Sequence, residues 1–163
     1  MAYKLTFLPH MELSILGYSG PVSQADFDGV WAQVSESKDY DSYFDDLVIL
    51  GPDADYSGVE YHVSMEQSRK FVEINQVLLH KKPKRTAFIC ATDMQVLMVH
   101  MFVAFVRANG RDQNQVECFR SSAPALAWIE DSKGPDRSLD RAEIRLVIAA
   151  INQAWCVDKE AAA

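Results

Sequence analysis

The first part of the chain alternates between polar and apolar positions. Residues 3–7 and 11–15 both show the two-residue period of a half-buried strand. Pro9-His10, between them, is typical of a turn, so the two stretches predict an antiparallel hairpin. Four apolar residues between Phe27 and Val34 then recur at helical spacing, and they predict an amphipathic helix after the capping residue Ser23.

Short apolar runs further along the chain indicate the middle of a sheet. Residues 47–50 form one such run, which is typical of a strand covered on both faces. Two more strands are predicted at residues 86–90 and 116–119, with a helix between them. A strand, a helix and a second strand in this order form the basic crossover of a parallel sheet.

These elements together predict an α/β fold. It has a mixed sheet of about five strands, made of the N-terminal antiparallel hairpin and parallel crossovers, with flanking helices. Further helices are expected at residues 64–80 and 125–129, and an extra C-terminal helix at 138–157. We therefore divide the chain into a main domain, residues 1–132, and a C-terminal helical extension, residues 133–160, packed on the same domain.

The helix expected between residues 93 and 107 is apolar on almost every side. Its only polar residues from 94 to 106 are Gln95 and His100. Such a helix is normally buried by packing, but one face of a sheet cannot cover two opposite sides of it. The terminal helix, a second subunit or a small lipophilic ligand could each supply the remaining cover. The candidate ligand-binding residues on this helix are Met94, Leu97, Met98, Met101, Phe102 and Phe105.

The charge of the chain restricts its partners. A net charge of −7 argues against nucleic-acid binding, which needs a basic surface. The longest apolar run is well short of the roughly 20 residues that cross a membrane, so no stable membrane insertion is expected. We interpret the basic run at residues 81–85 as a solvated loop, with a docking patch for an acidic partner as the alternative. The acidic stretch at residues 38–46 is likewise interpreted as a solvated connection.

The residue types that carry chemistry form no catalytic pattern. Residues 17–21 have Pro21 where a hydrolase elbow needs glycine, and no histidine follows His100. We expect His100 to be a core or interface histidine, because its neighbours three and four positions away are apolar. Cys90 and Cys118 fall in predicted strands as small hydrophobes. We therefore expect a non-enzymatic protein with no metal and no cofactor.

The location is predicted from the cysteines and the N-terminus. The chain has 3 cysteines, an odd number, and its first residues lack the apolar core of a signal peptide. Both features are typical of a protein in a reducing compartment, so a cytoplasmic location is expected.

Four segments resemble the SpoIIAA-like family, whose fold is shared by STAS domains and is similar to that of lipid-carrying CRAL-TRIO domains. The resemblance covers about residues 4 to 130. Its most specific part is a closing strand and helix, where Phe-Arg is followed by Ala-Leu-Ala-Trp-Ile. The four segments are residues 13–27, residues 53–58, residues 91–93 with Met98, Met101 and Phe102, and residues 116–129.

The resemblance implies a non-enzymatic regulatory or ligand-binding module, and we expect a STAS-like regulatory or protein-interaction module that works through a protein partner. The homodimer that we also expect follows from the apolar helix at residues 93–107, which a second subunit could cover. In phosphorylated STAS domains a Ser or Thr before a glycine takes phosphate, and Ser57 before Gly58 is the matching candidate phosphoacceptor here. Tyr56 stands where those domains have another Ser, and a simple tight turn is the alternative interpretation. Two further functions stay open: a carrier of a small lipophilic ligand in an apolar cavity, and an enzyme with an unrecognised site.

Overall fold

A single mixed sheet organises the chain. The computed structural model describes residues 2–41, 43–59, 66, 69–70, 84–108, 115–131, 133 and 138–161. Residues 154–161 are described by their backbone alone. Within the described residues the sheet has five strands in the order of the sequence. They are β1 (Tyr3–Leu8), β2 (Leu13–Tyr18), β3 (Asp45–Leu50), β4 (Arg85–Cys90) and β5 (Gln115–Phe119). β1 and β2 are antiparallel and all other neighbours are parallel, which confirms the predicted α/β fold.

Helices cover both faces of this sheet. They are α1 (Gln24–Glu36), α2 (Asp93–Ala108), α3 (Ser122–Glu130) and α4 (Arg141–Ala161). α1 and α2 pack on one face, which we call the front face, and α3 and α4 pack on the other, the back face. The helix predicted at residues 64–80 lies outside the described residues, apart from Glu66, Arg69 and Lys70, which are helical.

The back face is a closed apolar core. Alternate residues of β2 and β3 meet apolar side chains of α3 and α4, with Ile129 and Ile144 fully buried. α4 therefore lies on the opposite face of the sheet from α2. The terminal helix was one of the three alternatives for covering the remaining apolar side of α2. As far as its side chains are described, it does not do so.

The front face presents three rows of side chains that run across β2, β3 and β4. Strand register defines these rows, because alternate residues of a strand point to the same face. From the amino end of β3 to its carboxyl end, the rows are Ser14–Asp46–Thr86, Leu16–Val48–Phe88 and Tyr18–Leu50–Cys90. The first row is polar, and the other two are predominantly apolar.

α1 is fixed to the edge of the sheet by its first turn. The Asp26 carboxylate accepts hydrogen bonds from the backbone N–H of Ser23 at 3.0 Å and from that of Ala2 at 2.8 Å. A Cβ atom on Gly29 would lie 2.6 Å from the Tyr3 hydroxyl oxygen, so the glycine allows this helix to pack closely against β1. The predicted helix start after Ser23 is confirmed.

α2 is fixed by the side chain of Gln95, which is buried rather than solvated. Its Nε2 donates to the Gly51 carbonyl at 2.8 Å, and its Oε1 accepts from the Ala91 N–H at 2.7 Å. These bonds connect the first turn of α2 to the carboxyl end of β3. His100, in contrast, is exposed on the outer side of the helix, so it is not a core histidine, and the alternative expectation of an interface histidine stays a prediction.

The interpretation of residues 38–46 as wholly solvated was also wrong. β3 begins at Asp45, and both Asp45 and Asp46 are buried. Cationic and N–H partners explain this, because a buried carboxylate is tolerated only when it is compensated. Asp45 pairs with the Lys133 ammonium at 3.0 Å and accepts from the Arg85 N–H at 2.9 Å.

Candidate functional site

A cavity of about 270 Å³ lies between the front face of the sheet and helices α1 and α2. Its lining is mostly apolar. An apolar cavity of about 150 Å³ is large enough to bind benzene, and natural ligand pockets begin at about 300 Å³. The space therefore suits a small organic molecule larger than a single aromatic ring.

The floor and walls of the cavity come from different elements. The middle row of the front face, Leu16–Val48–Phe88, forms the floor. One wall belongs to α1 and the other to α2, and Trp31 of α1 packs against the buried Val106 of α2. The wall residues are Phe27, Val30, Trp31 and Val34 of α1 and Met98, Val99, Met101 and Phe102 of α2.

Polar side chains gather at the end of the cavity next to the amino ends of β3 and β4. We call the set Ser14, Tyr40, Asp46, Lys84 and Thr86 the polar cluster. The Asp46 carboxylate accepts from Ser14 Oγ at 2.5 Å and from Thr86 Oγ1 at 3.2 Å. Lys84 Nζ lies 2.8 Å from Asp46 Oδ2 and donates to the Tyr40 hydroxyl at 3.1 Å.

The two titratable donors of the polar cluster keep their protons at neutral pH. Burial alone would lower the pKa of Lys84, but the adjacent Asp46 charge and the hydrogen bonds outweigh it and raise that pKa above its ordinary value. Burial raises the pKa of Tyr40, although the Lys84 charge opposes the change. The cluster thus offers hydrogen-bond donors and an ion pair, but neither Tyr40 nor Lys84 is poised as a general base.

The opposite end of the cavity is aromatic. The ring of Tyr56 lies 5.9 Å from that of Tyr18 and 6.5 Å from that of Phe27, between centroids. The Tyr56 hydroxyl is buried and has no hydrogen-bond partner among the described residues. Burial raises the pKa of Tyr56 well above its usual value, so the group stays a neutral phenol. This end therefore offers aromatic surface and no charge.

The six ligand-binding candidates of α2 separate into two groups. Met98, Met101 and Phe102 line the cavity. Met94 and Leu97 lie on the outer side of the helix, with 65% and 63% of their surface exposed. Phe105 is half-buried and is not among the residues that line the cavity.

Ser57 lies in an exposed turn. Its backbone N–H donates to Asp55 Oδ1 at 2.8 Å, and the Val59 N–H donates to the Tyr56 carbonyl at 2.9 Å. This arrangement is a turn closed by an aspartate side chain, in which Ser57 points away from the sheet core. Its role as a phosphoacceptor stays a prediction.

Sequence reasoning missed the polar cluster because it assigned three of the five members to connections. Tyr40 and Asp46 belong to the acidic stretch, and Lys84 belongs to the basic run that was interpreted as a solvated loop. That interpretation was wrong for its last two residues, since Lys84 is buried and Arg85 begins β4. One signal was present: Asp46 directly precedes the apolar run at residues 47–50, and a charged residue next to a buried run needs a partner.

Nowhere among the described residues do three or more His, Cys, Asp or Glu side chains converge as metal ligands. No helix of the described ranges combines the length and apolar character needed to span a bilayer. Comparison with protein-family models, with curated proteins and with solved structures gives no significant match, so the resemblance to the SpoIIAA-like family stays a prediction.

Proposed function

We propose that this protein binds and carries a small lipophilic ligand in the cavity of the front face. The observation that supports it is an apolar space of about 270 Å³ with a compact polar cluster at one end. Apolar surface left in contact with water costs stability, and a concave space with mostly apolar walls and a few polar groups is typical of small-molecule sites. A ligand that fills the space covers this surface, and the polar cluster orients it.

Two features favour binding over catalysis. The polar cluster holds its charges in a closed ion pair between Lys84 and Asp46, 2.8 Å apart. The raised pKa values of Lys84 and Tyr40 keep both groups protonated, so neither one can take a proton from a substrate at neutral pH. Cavities with a few fixed polar groups and mostly apolar walls are typical of sites that recognise a molecule without changing it.

A regulatory or protein-interaction module is the second candidate, and a separate observation favours it. Met94 and Leu97 are exposed on the outer side of α2, and Met101, which borders the cavity, is partly exposed one turn further on. Large exposed apolar side chains grouped on one helix face mark interaction surfaces. A protein partner or a second copy of the chain would cover this stripe, and this function does not exclude the carrier function.

Native mass spectrometry of gently purified protein tests the carrier function. We expect a population heavier than the polypeptide, whose extra mass is lost when the same sample is denatured. Organic extraction of the protein should release the same compound, and extraction of an equal amount of an unrelated protein from the same preparation is the control. A mass equal to that of the bare polypeptide, together with no uptake of added small lipophiles, would contradict the proposal.

A further inference from the structure

The polar cluster has one acceptor position left over. An ionised carboxylate offers about four lone-pair positions. On Asp46, Oδ1 accepts from Ser14, and Oδ2 accepts from Thr86 and lies against Lys84 Nζ. With respect to the described residues, one position therefore remains on Oδ1. Both side chains line the cavity, and that of Asp46 is more exposed, at 13%, than that of Lys84, at 5%.

The cluster also has one donor left over. The Tyr40 oxygen accepts from Lys84, and its own phenolic proton has no acceptor among the described residues. The ring is held between Phe7, at 5.3 Å, and Phe44, at 5.9 Å, so the hydroxyl is fixed in place. A hydroxyl oxygen that accepts from a cation becomes a stronger donor, because hydrogen bonds in a chain polarise one another.

The charges of the site are already balanced. Lys84 and Asp46 are the charged residues among the described lining of the cavity, and they pair with each other. Among the described lining residues, no further cation is therefore present to compensate a ligand carboxylate, and no further anion is present to compensate a ligand ammonium. Either uncompensated charge is strongly unfavourable in a space with apolar walls.

From this residual capacity, and resting on the proposed carrier function, we infer that the ligand is a neutral lipophile bearing a hydroxyl group. The hydroxyl donates to Asp46 Oδ1 and accepts from the Tyr40 hydroxyl, while the hydrocarbon part lies on the Leu16–Val48–Phe88 row. Asp46 Oδ2 and the Tyr40 hydroxyl lie 2.8 Å and 3.1 Å from Lys84 Nζ, so the Asp46 carboxylate and the Tyr40 hydroxyl stand side by side at the same end of the cavity. A lipophilic alcohol or phenol fits this chemistry, and a fatty acid does not.

Three ligands with the same ring system test the inference by calorimetric titration of the full-length protein. They are 2-naphthol, 2-methylnaphthalene and 2-naphthoate, which differ in one substituent: a hydroxyl, a methyl and a carboxylate. We expect 2-naphthol to bind about three- to tenfold more tightly than 2-methylnaphthalene, the effect of one or two net hydrogen bonds. We expect 2-naphthoate to bind most weakly. The series needs no variant, so it does not depend on a substitution that folds poorly.

Two tyrosine variants test whether the preference for 2-naphthol depends on the Tyr40 hydroxyl. Tyr40→Phe removes the donor and keeps the ring. Tyr43→Phe is the control, since Tyr43 packs edge-to-face against Phe44 and is not among the residues that line the cavity. In Tyr40→Phe we expect the preference for 2-naphthol to shrink to within about twofold, with the affinity for 2-methylnaphthalene unchanged. A merely structural role would weaken all three ligands together, and that result would overturn the inference.

The outcomes separate the two claims. Equal binding of 2-naphthol and 2-methylnaphthalene to the wild type overturns the hydroxyl inference and leaves the carrier function standing. Tightest binding of 2-naphthoate overturns the claim that the ligand is neutral. Failure of all three compounds to bind overturns the carrier function, and the inference falls with it.

Discussion

Lys84 keeps its charge in a buried position because its surroundings compensate it. Its side chain is 5% exposed, and its ammonium contacts the carboxylate of Asp46 and the hydroxyl of Tyr40. The ammonium also lies 5.5 Å from the centre of the Tyr40 ring, where the aromatic face attracts a cation. An ion pair of this kind is costly to break, since the partner that remains is a buried and uncompensated charge.

Removing the cation should therefore destabilise the fold. We expect Lys84→Met to lower the free energy of unfolding by about 3–5 kcal/mol, measured by urea denaturation. The double variant Lys84→Met/Asp46→Leu should regain most of this loss, because no lone charge is left. Lys70→Met is the matched control: it breaks the more exposed pair with Asp28 and should cost less than about 1 kcal/mol. A loss below about 1 kcal/mol for the single variant at Lys84 would contradict its buried pairing.

The tyrosines predict how stability changes with pH. Burial raises the pKa values of Tyr3, Tyr18, Tyr40 and Tyr56 above their ordinary value of 10.0, and the pKa of Lys84 is raised as well. Above about pH 10 the unfolded chain loses these protons before the folded chain does, so the folded state binds more protons and stability falls as pH rises.

We expect these five groups to leave the free energy of unfolding unchanged between about pH 7 and pH 9 and to lower it steadily above about pH 10. Urea denaturation at each pH measures this. Tyr40→Phe should make the decline shallower, because it removes one of the groups. A free energy that stays level to about pH 11 would show that these side chains are not shielded as described.

At the scale of elements, α2 has two dissimilar apolar sides. Its inner side packs Val96, Val99 and Val103 against the front face. Its outer side carries the exposed residues Met94 and Leu97. Apolar residues therefore occur on almost every side of this helix because its inner side forms part of the core and the cavity wall, while its outer side forms an uncovered apolar surface.

α3 is attached to the sheet by Trp128. Its indole ring lies 5.7 Å from the ring of Phe119 on β5, and the guanidinium of Arg85 on β4 lies 4.9 Å from the indole. Arg85 also donates to the Trp128 backbone carbonyl. One side chain thus joins a helix to two neighbouring strands.

Because Trp128 is half-buried, its removal should cost less than the loss of a fully buried aromatic residue. We expect Trp128→Ala to lower the free energy of unfolding by about 2–3 kcal/mol in urea. Trp128→Phe keeps a ring next to Phe119 and should cost less than about 1.5 kcal/mol. Equal losses for the two variants would show that the ring contacts do not hold this helix.

The elements themselves could be predicted from the sequence because each depends on local periodicity. The hairpin, the buried β3 run and the strands around α2 follow from which positions are apolar over five to sixteen residues. The polar cluster depends on contacts between distant residues. Asp46 and Thr86 meet only through the register of β3 and β4. Tyr40 and Lys84 come from two separate connections, the one before β3 and the one before β4. No local pattern carries that information.

At the scale of the whole molecule, the two faces of the sheet differ in how completely they are filled. The back face is closed by α3 and α4, whereas the front face retains a cavity between α1 and α2. The difference confines the candidate ligand site to one side of the sheet and leaves closed packing on the other.

The homodimer expected from the sequence stays a prediction, and the exposed stripe of α2 is where it would form. If two copies meet there, light scattering should give twice the chain mass for the wild type and the single mass for Leu97→Lys, since a charge in an apolar seam is unfavourable. Leu146→Lys on α4 replaces a similarly exposed leucine on the back-face side and serves as the control. A wild-type monomer would contradict the expectation.

The most direct test of the central claim, that the front-face cavity takes up a small neutral lipophile, is the affinity for 2-naphthol of two variants one residue apart. Met98→Trp places a large ring inside the cavity, and Leu97→Trp places the same ring on the exposed side of the same helix. With both variants folded by circular dichroism, we predict that Met98→Trp weakens binding by at least about tenfold and that Leu97→Trp stays within about twofold of the wild type. Equal affinities for the two variants would contradict the claim.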